Sequence, residues 1–502
     1  SDLTSMKFSM VSFGLKKVAI FGLMSLALCA QDAAFARKAT PPQPPIEKAE
    51  LEANLPAPLA KAAKDFKIPL SAMAISVRAL DGSAKPILSV NGQHPVAPAS
   101  TEKLITTLAA LELLGPDYHW ITRFFADKRP ENDHIGTLYM QGGGDPTWTI
   151  EQFQLEVERL AAHGITHIDG DFVVDRGLFN LPEGDPDAFD GKGNRPYNQF
   201  PDAALVNYNN TSFEFVPDET QNVAHVITVP TLAGVAVPAS IPLGKGKCGD
   251  WKGFHVKATE NGQKEVVFEG DYPSACGPKV YNMVSFNKNE FLERTFRALW
   301  EKDGRTWSGH VVEGKIPEKA EQIMVHVSQP LREVVALTNK WSNNQIARHL
   351  FLSTAAASGL PGLKAYDLPT SRATIMSWLQ TLGVNTQGFV LDNGSGLSRT
   401  SRVTADGMAQ MLVAGWSSPY MSEYMSSLPI SGVDGTMRKR KTAKTYAHMK
   451  TGYLENVRAI GGYVQTKSGK RYAVFATVHD GQAVWQGIPF LDRVIEWVHE
   501  LP

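Results

Sequence analysis

The chain has 502 residues, of which 43% are hydrophobic, and its 50 basic side chains nearly balance its 51 acidic ones. This composition is typical of a globular protein with room for about three domains. Without long basic runs the chain has no charge pattern for binding nucleic acid or an acidic membrane surface, so we expect neither as a partner.

The N-terminal residues have the pattern of an export signal. Basic residues precede the apolar stretch VAIFGLMSLALCA, and Ala34-Phe35-Ala36 has the small-x-small pattern of a cleavage site. The apolar stretch is shorter than the about 20 residues of a transmembrane helix, so we expect no transmembrane span. We predict that residues 1–36 are a signal peptide cleaved near Ala36 and that the mature protein is periplasmic. The alternative is a lipoprotein anchored through Cys29, but the bulky Leu28 before it disfavours that processing.

Removal of this signal would leave two cysteines, Cys248 and Cys276. In an oxidising compartment an even pair favours a disulfide, which is our prediction, and two unpaired thiols are the alternative. Neither the cysteines nor the scattered histidines have the spacing of metal ligands, so we expect no metal and no cofactor.

The first half of the mature chain begins with a Pro-rich linker at residues 37–46. Residues 71–93 then predict two strands around the turn Asp81-Gly82-Ser83. A long apolar run follows and predicts a helix that begins near Ser100 and ends at Gly115-Pro116.

The pattern changes between residues 116 and 282, where short β-type runs are separated by Gly, Pro and Asn. It predicts an inserted, mostly β region that could contain two subdomains. Helical patterns resume from residue 283, and the end of the chain predicts three strands and an amphipathic helix. The acidic polar face of that helix favours packing on the sheet over membrane attachment.

Ser100 and Lys103 are three residues apart at the start of the predicted helix. Residues at this spacing share a helix face, so the lysine amine can lie beside the serine hydroxyl. A buried, neutral lysine can activate a serine as a nucleophile. The alternative is that Ser100 only caps the helix, because Ser-x-x-Lys also occurs by chance, as at Ser285 and Lys288.

Two later motifs favour the catalytic interpretation. Ser342-Asn343-Asn344 lies at the start of a predicted helix, and Lys450-Thr451-Gly452 lies in a predicted strand. Gly452 would let a substrate backbone approach that strand. A polar helix start and a solvated strand lysine are the alternatives for each motif taken alone, but all three motifs occur in the expected order and context.

With these motifs the sequence resembles the penicillin-binding serine D,D-peptidases, and more narrowly the D-alanyl-D-alanine carboxypeptidase/endopeptidase family of the penicillin-binding protein 4 type. Supporting stretches are PASTEKLITTLAAL, GGGDPTW, IDGDFVVDRGLF, DNGSGLSRTSRVT, LPISGVDGTMRKR and KTGYLENVRAIGGYV. The resemblance implies an α/β (α+β) fold of the serine β-lactamase/D,D-peptidase type, with an antiparallel sheet flanked by helices. The catalytic domain would consist of residues 37–115 and 283–502, separated by the insertion.

The resemblance also implies a role for each motif. Ser100 would attack the carbonyl of the penultimate D-alanine, with Lys103 as its base. Ser342 would relay the proton to the leaving D-alanine, and Asn344 would hold the substrate backbone. The implied substrates are peptidoglycan stem peptides, either D-Ala-D-Ala termini or cross-links to diaminopimelate, and β-lactam antibiotics are implied as covalent inhibitors.

The remaining roles concern the strand and a nearby loop. Lys450 and Thr451 would hold the terminal carboxylate, and the backbone N–H groups of Ser100 and Tyr453 would form the oxyanion hole. Tyr453 departs from the Thr or Ser that often follows this motif in the family, and we expect its ring to narrow the groove. Arg399 matches a family position near the diaminopimelate side chain, whereas a surface salt bridge is its alternative.

Three other functions share some of these features. A β-lactamase would need a water-activating glutamate, and no Glu-x-x-Leu-Asn-like stretch is found. A non-catalytic peptidoglycan-binding protein would be expected to lack one of the motif residues, whereas all are present. An esterase on the same fold is the third alternative.

Overall fold

The computed structural model describes residues 55–251, 253–259, 263–479 and 481–502. The predicted signal peptide and Pro-rich linker lie outside these residues. The helices are α1 (Ala57–Asp65), α2 (Lys103–Leu114), α3 (Ile150–Ala162), α4 (Lys288–Glu301), α5 (Leu331–Trp341), α6 (Asn344–Ser353), α7 (Leu368–Thr381), α8 (Ala405–Trp416), α9 (Met421–Ser427) and α10 (Gly487–His499). Among the described residues, no helix has both the length and the apolar character needed to cross a bilayer.

The strands are two to nine residues long, and the two longest lie near the C-terminal end of the chain. They are β1 (Met73–Ala79), β2 (Leu88–Val90), β3 (Ile121–Ala126), β4 (His134–Ile135), β5 (Leu138–Gln141), β6 (His167–Ile168), β7 (Phe172–Asp175), β8 (Thr211–Asp218), β9 (Val223–Val229), β10 (Val235–Ala236), β11 (Ser240–Gly244), β12 (Phe254–Ala258), β13 (Lys264–Phe268), β14 (Tyr272–Pro273), β15 (Lys279–Met283), β16 (Thr306–Trp307), β17 (Val311–Glu313), β18 (Glu321–Val327), β19 (Ala447–Leu454), β20 (Val457–Gln465) and β21 (Arg471–His479).

The two ends of the chain share one antiparallel sheet, in the order β19-β20-β21-β1-β2. All seven residues of β1 are buried, which is why its sequence MAISVRA has few polar side chains. The three strands predicted near the C-terminus are confirmed as β19, β20 and β21. The sheet therefore joins segments more than 350 residues apart in the chain, as the register of Met73 with Val478 shows.

Helices cover both faces of this sheet. The apolar residues of α1 and α10 pack on one face, as predicted for the C-terminal helix. On the other face, α2 lies in a cluster with α5, α6, α7, α8 and α9. Every residue of α2 from Lys103 to Leu111 is buried, so this helix is held on all sides. The fold class predicted from the resemblance, a helix-flanked antiparallel sheet, is confirmed.

The inserted region begins with a mixed five-stranded sheet, β17-β7-β5-β3-β18, and a parallel three-stranded sheet, β16-β6-β4. Their apolar side chains form one cluster with α3 and α4. α4 and β16 to β18 lie beyond residue 282, where the sequence analysis ended the insertion. The helical pattern of α4 suggested a return to the catalytic domain, but Leu292, Phe296 and Trp300 face the insertion's cluster. We therefore place the end of the insertion after β18.

A second cluster of the insertion is built from β strands alone. It combines the sheets β14-β11-β9-β8-β15 and β10-β13-β12 around Phe213, Phe215 and Tyr272. Cys248 and Cys276 form the predicted disulfide within it, with their Cα atoms 4.7 Å apart. Among its described residues the insertion thus has two main cores, and Leu232, Phe286 and Phe291 form a third, smaller cluster.

Candidate active site

Ser100 lies in the 3-10 turn Ala99–Glu102, which runs directly into α2. The carbonyl of Pro98 accepts the backbone N–H that closes this turn. Glu102 occupies the position before α2, and no side chain caps the helix. The capping interpretation of Ser100 is therefore wrong. Its half-buried hydroxyl instead contacts Lys103.

Lys103 is completely buried at the first position of α2. Its Nζ lies 3.0 Å from Ser100 Oγ, 2.7 Å from Asn344 Oδ1 and 2.6 Å from the carbonyl oxygen of Ser395. The amide oxygen and the carbonyl can only accept hydrogen bonds, so a neutral amine would satisfy them with its two N–H groups. Its lone pair would then face the hydroxyl of Ser100, as a general base requires.

The surroundings of Lys103 favour this neutral form. Burial penalises the charged ammonium, and the positive charge of Lys450 opposes it further, so the pKa of Lys103 lies well below its ordinary value. The carboxyl group of Glu102 acts in the opposite direction, but burial raises the pKa of Glu102 itself to about 7. The lowered pKa of Lys103 favours the neutral amine that a general base requires.

Ser342 and Asn344 lie at the junction of two helices. Ser342 ends α5 in a left-handed conformation, with φ of 57°, and Asn344 begins α6. The side chain of Asn343 between them caps α6 by accepting the N–H of Ile346. This tight junction directs Ser342 towards Lys450 and Asn344 towards Lys103.

Lys450 lies in β19, on the opposite side of the site from α2. Its buried Nζ donates to Ser342 Oγ at 2.9 Å and to the backbone carbonyl of Thr451 at 2.7 Å. Burial lowers the pKa of Lys450 to about 7. The structure therefore brings together all five side chains that the sequence analysis assigned to catalysis: Ser100, Lys103, Ser342, Asn344 and Lys450.

The residues after Lys450 differ in their surroundings. Thr451 Oγ1 lies 2.7 Å from Thr436 Oγ1. Gly452 is buried against the segment before the nucleophile, because a Cβ built on it would lie 3.0 Å from the Pro98 carbonyl oxygen. The expectation that Gly452 leaves room for substrate thus differs from the structure, in which the glycine lets β19 pack against the catalytic turn.

The side chain of Tyr453 points away from the contact between Gly452 and the catalytic turn. Its side chain is 62% exposed, and the guanidinium of Arg458 lies 3.5 Å from the centre of its ring. This cation–π contact holds the ring against β20. Its backbone remains on the strand edge next to Ser100's turn.

Arg399 lies on the loop that also carries Ser395. Its guanidinium donates to the carbonyl of Phe189 at 2.6 Å and stacks over the Phe189 ring at 4.8 Å. Phe189 belongs to the insertion, so Arg399 joins the insertion to the catalytic loop. In this structure its partners are a backbone carbonyl and a ring, and the alternative interpretation, a surface salt bridge, is not among the described ion pairs.

The second Ser-x-x-Lys sequence has no part in the site. Asn287 caps α4 by accepting the N–H groups of Asn289 and Glu290. Lys288 pairs with Glu313, at 3.2 Å, instead of approaching Ser285. Ser285 can therefore serve as a control for Ser100.

A separate surface cluster in the insertion contains potential metal ligands, although none was expected. Asp133, His134 and His167 each offer one ligand atom, and these atoms lie within 4.8 Å of one another. The two imidazole rings are stacked at 4.2 Å, and His134 already pairs with Asp169. The cluster shares no residue with the site around Ser100.

Sequence reasoning missed two groups that contact or influence Lys103. The carbonyl of Ser395 is a backbone group, so its position depends on the fold of the loop and not on the serine side chain. Glu102 looked like an ordinary polar residue of the helix start, but it is completely buried. The sequence signal for its role was its position between Ser100 and Lys103.

Comparison with known proteins agrees with this geometry. Residues 55–489 match the model of the D-Ala-D-Ala carboxypeptidase 3 (S13) family. The chain belongs to this family. As a member of the D-Ala-D-Ala carboxypeptidase family it is a serine hydrolase, and the resemblance inferred from its three motifs is confirmed.

Individual relatives of this D-Ala-D-Ala carboxypeptidase cover most of the chain. The D-alanyl-D-alanine carboxypeptidase of Actinomadura sp. (strain R39) is 28% identical over 430 residues, which are 79% of this chain and 76% of that protein. The crystal structure of penicillin binding protein 4 from Haemophilus influenzae superimposes with a TM-score of 0.71 at 21% identity, over 88% of this chain and 99% of that one. The same protein complexed with a β-lactam superimposes with a TM-score of 0.67 at 21% identity and the same coverage.

Proposed function

We propose that Ser100 is the nucleophile of this carboxypeptidase and that Lys103 is its base. The observation that carries the proposal is the contact of a buried lysine with the serine hydroxyl, at 3.0 Å, and burial also lowers the pKa of this lysine. Lys103 takes the hydroxyl proton while Ser100 Oγ attacks the carbonyl carbon of the penultimate D-alanine. The product of this addition is a tetrahedral oxyanion.

The tetrahedral intermediate then loses the terminal D-alanine. The proton held by Lys103 passes to the leaving amine through Ser342, and the C–N bond breaks to leave an ester on Ser100. Water, deprotonated by Lys103, hydrolyses this ester and restores the free serine. Asn344 accepts from Lys103 through Oδ1 and donates one Nδ2 N–H to the carbonyl of Tyr197 at 3.4 Å, so its second N–H can hold the substrate's backbone carbonyl.

Lys450 and Thr451 bind the substrate's terminal carboxylate. Lys450 already donates to Ser342 and to a backbone carbonyl, and a protonated amine has a third N–H for the carboxylate. The backbone N–H groups of Ser100 and Tyr453 form the oxyanion hole, which is typically worth a few kcal/mol. Arg399 contributes to the recognition of the diaminopimelate side chain.

The substrates are stem peptides of peptidoglycan, cleaved at D-Ala-D-Ala termini and at D-Ala-diaminopimelate cross-links. A β-lactam presents a strained amide beside a carboxylate, so it acylates Ser100 in place of the peptide and inhibits the enzyme covalently. The enzyme acts in the periplasm after cleavage of the signal peptide near Ala36. It requires no cofactor, because every proton transfer is assigned to a side chain.

The decisive experiment compares Ser100→Ala and Lys103→Arg with the unmodified enzyme. Both variants should lose fluorescent-penicillin labelling and D-alanine release, because one lacks the nucleophile and the other keeps a charge that cannot act as a base. Far-UV circular dichroism should be unchanged, since Ser100 caps no helix.

Ser285→Ala is the matched control and should retain both activities. Peptide mass spectrometry should place the penicillin adduct on Ser100. An adduct on another residue, or D-alanine release by Ser100→Ala, would refute the assignment. Rapid release of hydrolysed penicillin would favour a β-lactamase instead.

A further inference from the structure

A groove of about 890 Å³ continues from the catalytic residues into the insertion. At one end it is lined by Trp341, Ser342 and Asn344 of the α5–α6 junction. At the other end it is lined by Val229 and Val280 of the insertion's second sheet. The groove is therefore continuous with the site, but most of its wall takes no part in the proposed chemistry.

The far end of the groove is a face of one sheet. Asn282 in β15 pairs with Ser212 in β8, and Ser212 pairs with Val229 in β9, so these three residues lie side by side. Val280 lies two residues from Asn282 and hence on the same face. An extended chain leaving the catalytic residues would pass over this face.

Large apolar side chains are exposed along the groove. Trp341 is 66% exposed, Val280 57% and Val229 43%, although residues of these types are usually buried. Exposed apolar surface that lines a concave region is typical of a binding site. Trp341 directly precedes Ser342, so the first contact beyond the catalytic residues would be its indole ring.

The charges of the groove indicate what it binds. Lys192 and Arg195 are both exposed on its wall, and Glu151 is the one acidic residue among the described residues that line it. The nearby Asp190 is engaged by Tyr197 and Asn198. The groove therefore suits an extended ligand with free carboxylates and some apolar surface.

The position of the groove indicates which part of a substrate it holds. Ser342 is hydrogen-bonded to Lys450, which in the proposed function holds the carboxylate of the leaving residue. A groove that begins at Trp341 and Ser342 thus lies on the leaving-group side of the scissile bond. Arg399, which is bound to Phe189, is not among the residues that line it.

We propose that this groove binds the stem peptide of the second strand in a cross-linked muropeptide, the strand that leaves when the cross-link is cut. The proposal rests on the proposed function, because it extends the same site past the scissile bond. A single terminal D-alanine would cover little of this groove, whereas a stem peptide with its carboxylates can contact Trp341 and then Arg195. The groove would make the enzyme select cross-linked substrates.

The test uses Trp341→Ala and Arg195→Glu in the full chain, with cross-linked dimers and monomeric pentapeptides as parallel substrates. We expect kcat/KM for the dimers to fall at least tenfold, while kcat/KM for the monomers and penicillin acylation stay within twofold. Trp485→Ala is the control, because Trp485 is 78% exposed and does not line the groove. Equal losses on both substrates, or no loss on the dimers, would refute the proposal.

Two further measurements test the groove separately from the proposed function. Calorimetric binding of the dimer to Ser100→Ala tests the groove without catalysis, and adding Arg195→Glu should weaken that binding at least tenfold. If the enzyme cuts neither substrate but this difference in binding persists, the proposed function fails and the groove stands. Dimers stripped of their sugars should show the same loss, and a loss confined to sugar-bearing dimers would make the glycan the occupant.

Discussion

Lys103 and Lys450 are both fully buried, yet their contacts suit different protonation states. Lys103 faces two acceptors and one hydroxyl, which a neutral amine satisfies completely. Lys450 faces one hydroxyl and one carbonyl, and a third N–H remains for a carboxylate. After burial, the positive charge of Lys450 is the next largest cause that lowers the pKa of Lys103, so Lys450 favours the neutral form of Lys103.

This pairing predicts an alkaline limit on activity. Because burial lowers the pKa of Lys450 to about 7, the free enzyme loses this cation as the pH rises through that value. We expect kcat/KM for a substrate with a terminal carboxylate to fall above about pH 7, and kcat to fall only at higher pH, since the bound carboxylate raises the pKa of Lys450.

The pH profile can be checked with two controls. An ester substrate without the carboxylate should lack the alkaline limit, and so should Lys450→Arg, whose charge persists at all these pH values. A kcat/KM that rises steadily from pH 6 to 10 for the carboxylate substrate would contradict the assignment of Lys450.

Glu102 predicts a pH-dependent cost in stability. Burial raises its pKa from 4.5 to about 7, so between these values the folded state keeps a proton that the unfolded chain has lost. The free energy of unfolding therefore falls as the pH rises from 4.5 to 7 and stays lower above pH 7, by roughly 3 kcal/mol. Replacement of Glu102 by the neutral glutamine should remove this fall in the free energy of unfolding.

The measurement compares the thermal transition of Glu102→Gln with that of the unmodified enzyme at pH 5 and pH 8. At each pH we compare the melting temperature of the variant with that of the unmodified enzyme. The difference should favour the variant more at pH 8 than at pH 5. Glu112→Gln is the control, because the same helix carries Glu112 at a less buried position. A difference that does not change with pH would show that folding does not raise the pKa of Glu102.

At the residue scale, the sequence predicted the groups whose chemistry depends on side-chain type. Ser100, Lys103 and Lys450 were predicted as site residues because serine and lysine have side chains that suit this chemistry, and the structure places them in one site. The carbonyl of Ser395 could not, because every residue has one. The burial of Glu102 depends on the packing around α2, which a local sequence pattern does not encode.

At the element scale, the catalytic turn depends on the loop that carries Ser395. Gly396 has a φ of 76°, and a Cβ added to it would collide with the carbonyl oxygen of Ala99, in the turn that holds Ser100. Gly396→Ala should therefore displace this turn, lower the melting temperature and slow penicillin acylation at least tenfold. Acylation rates and thermal melts measure both effects.

Gly383→Ala separates the collision from backbone strain. Gly383 has a similar φ of 74°, but a Cβ there would meet no atom within 4 Å. This variant should lose about 1 kcal/mol from the unfavourable conformation and acylate normally. If both variants acylate at the same rate, the contact with Ala99 does not position Ser100.

Elements were predicted best where the pattern was long and regular. The strands β19 to β21 and the helix α10 were identified because each buries a continuous apolar face. The end of the insertion was predicted too early, because an amphipathic helix such as α4 has the same pattern whichever core it covers. Only the tertiary partners of Leu292 and Phe296 show which core α4 covers.

At the scale of the whole molecule, the insertion is held to the catalytic body close to the active site. Arg399 and Arg348 donate to the carbonyls of Phe189 and Gln199 in one segment of the insertion. The carbonyl of Tyr197, in the same segment, lies 3.4 Å from Asn344 Nδ2. The position of this segment is therefore coupled to a residue that contacts the catalytic lysine.

Arg399 provides the prediction at this scale. Because its guanidinium both donates to and stacks on Phe189, Arg399→Ala should release the insertion segment, which hydrogen exchange would detect as faster exchange over residues 185–199. Penicillin acylation should stay within twofold, since Ser100 and Lys103 keep their contacts. Cleavage of stem peptides with diaminopimelate should slow about tenfold.

Arg493→Ala is the control, because Arg493 pairs with Glu496 within α10. Unchanged exchange combined with slower cleavage would mean that Arg399 acts on the substrate alone and does not hold the insertion.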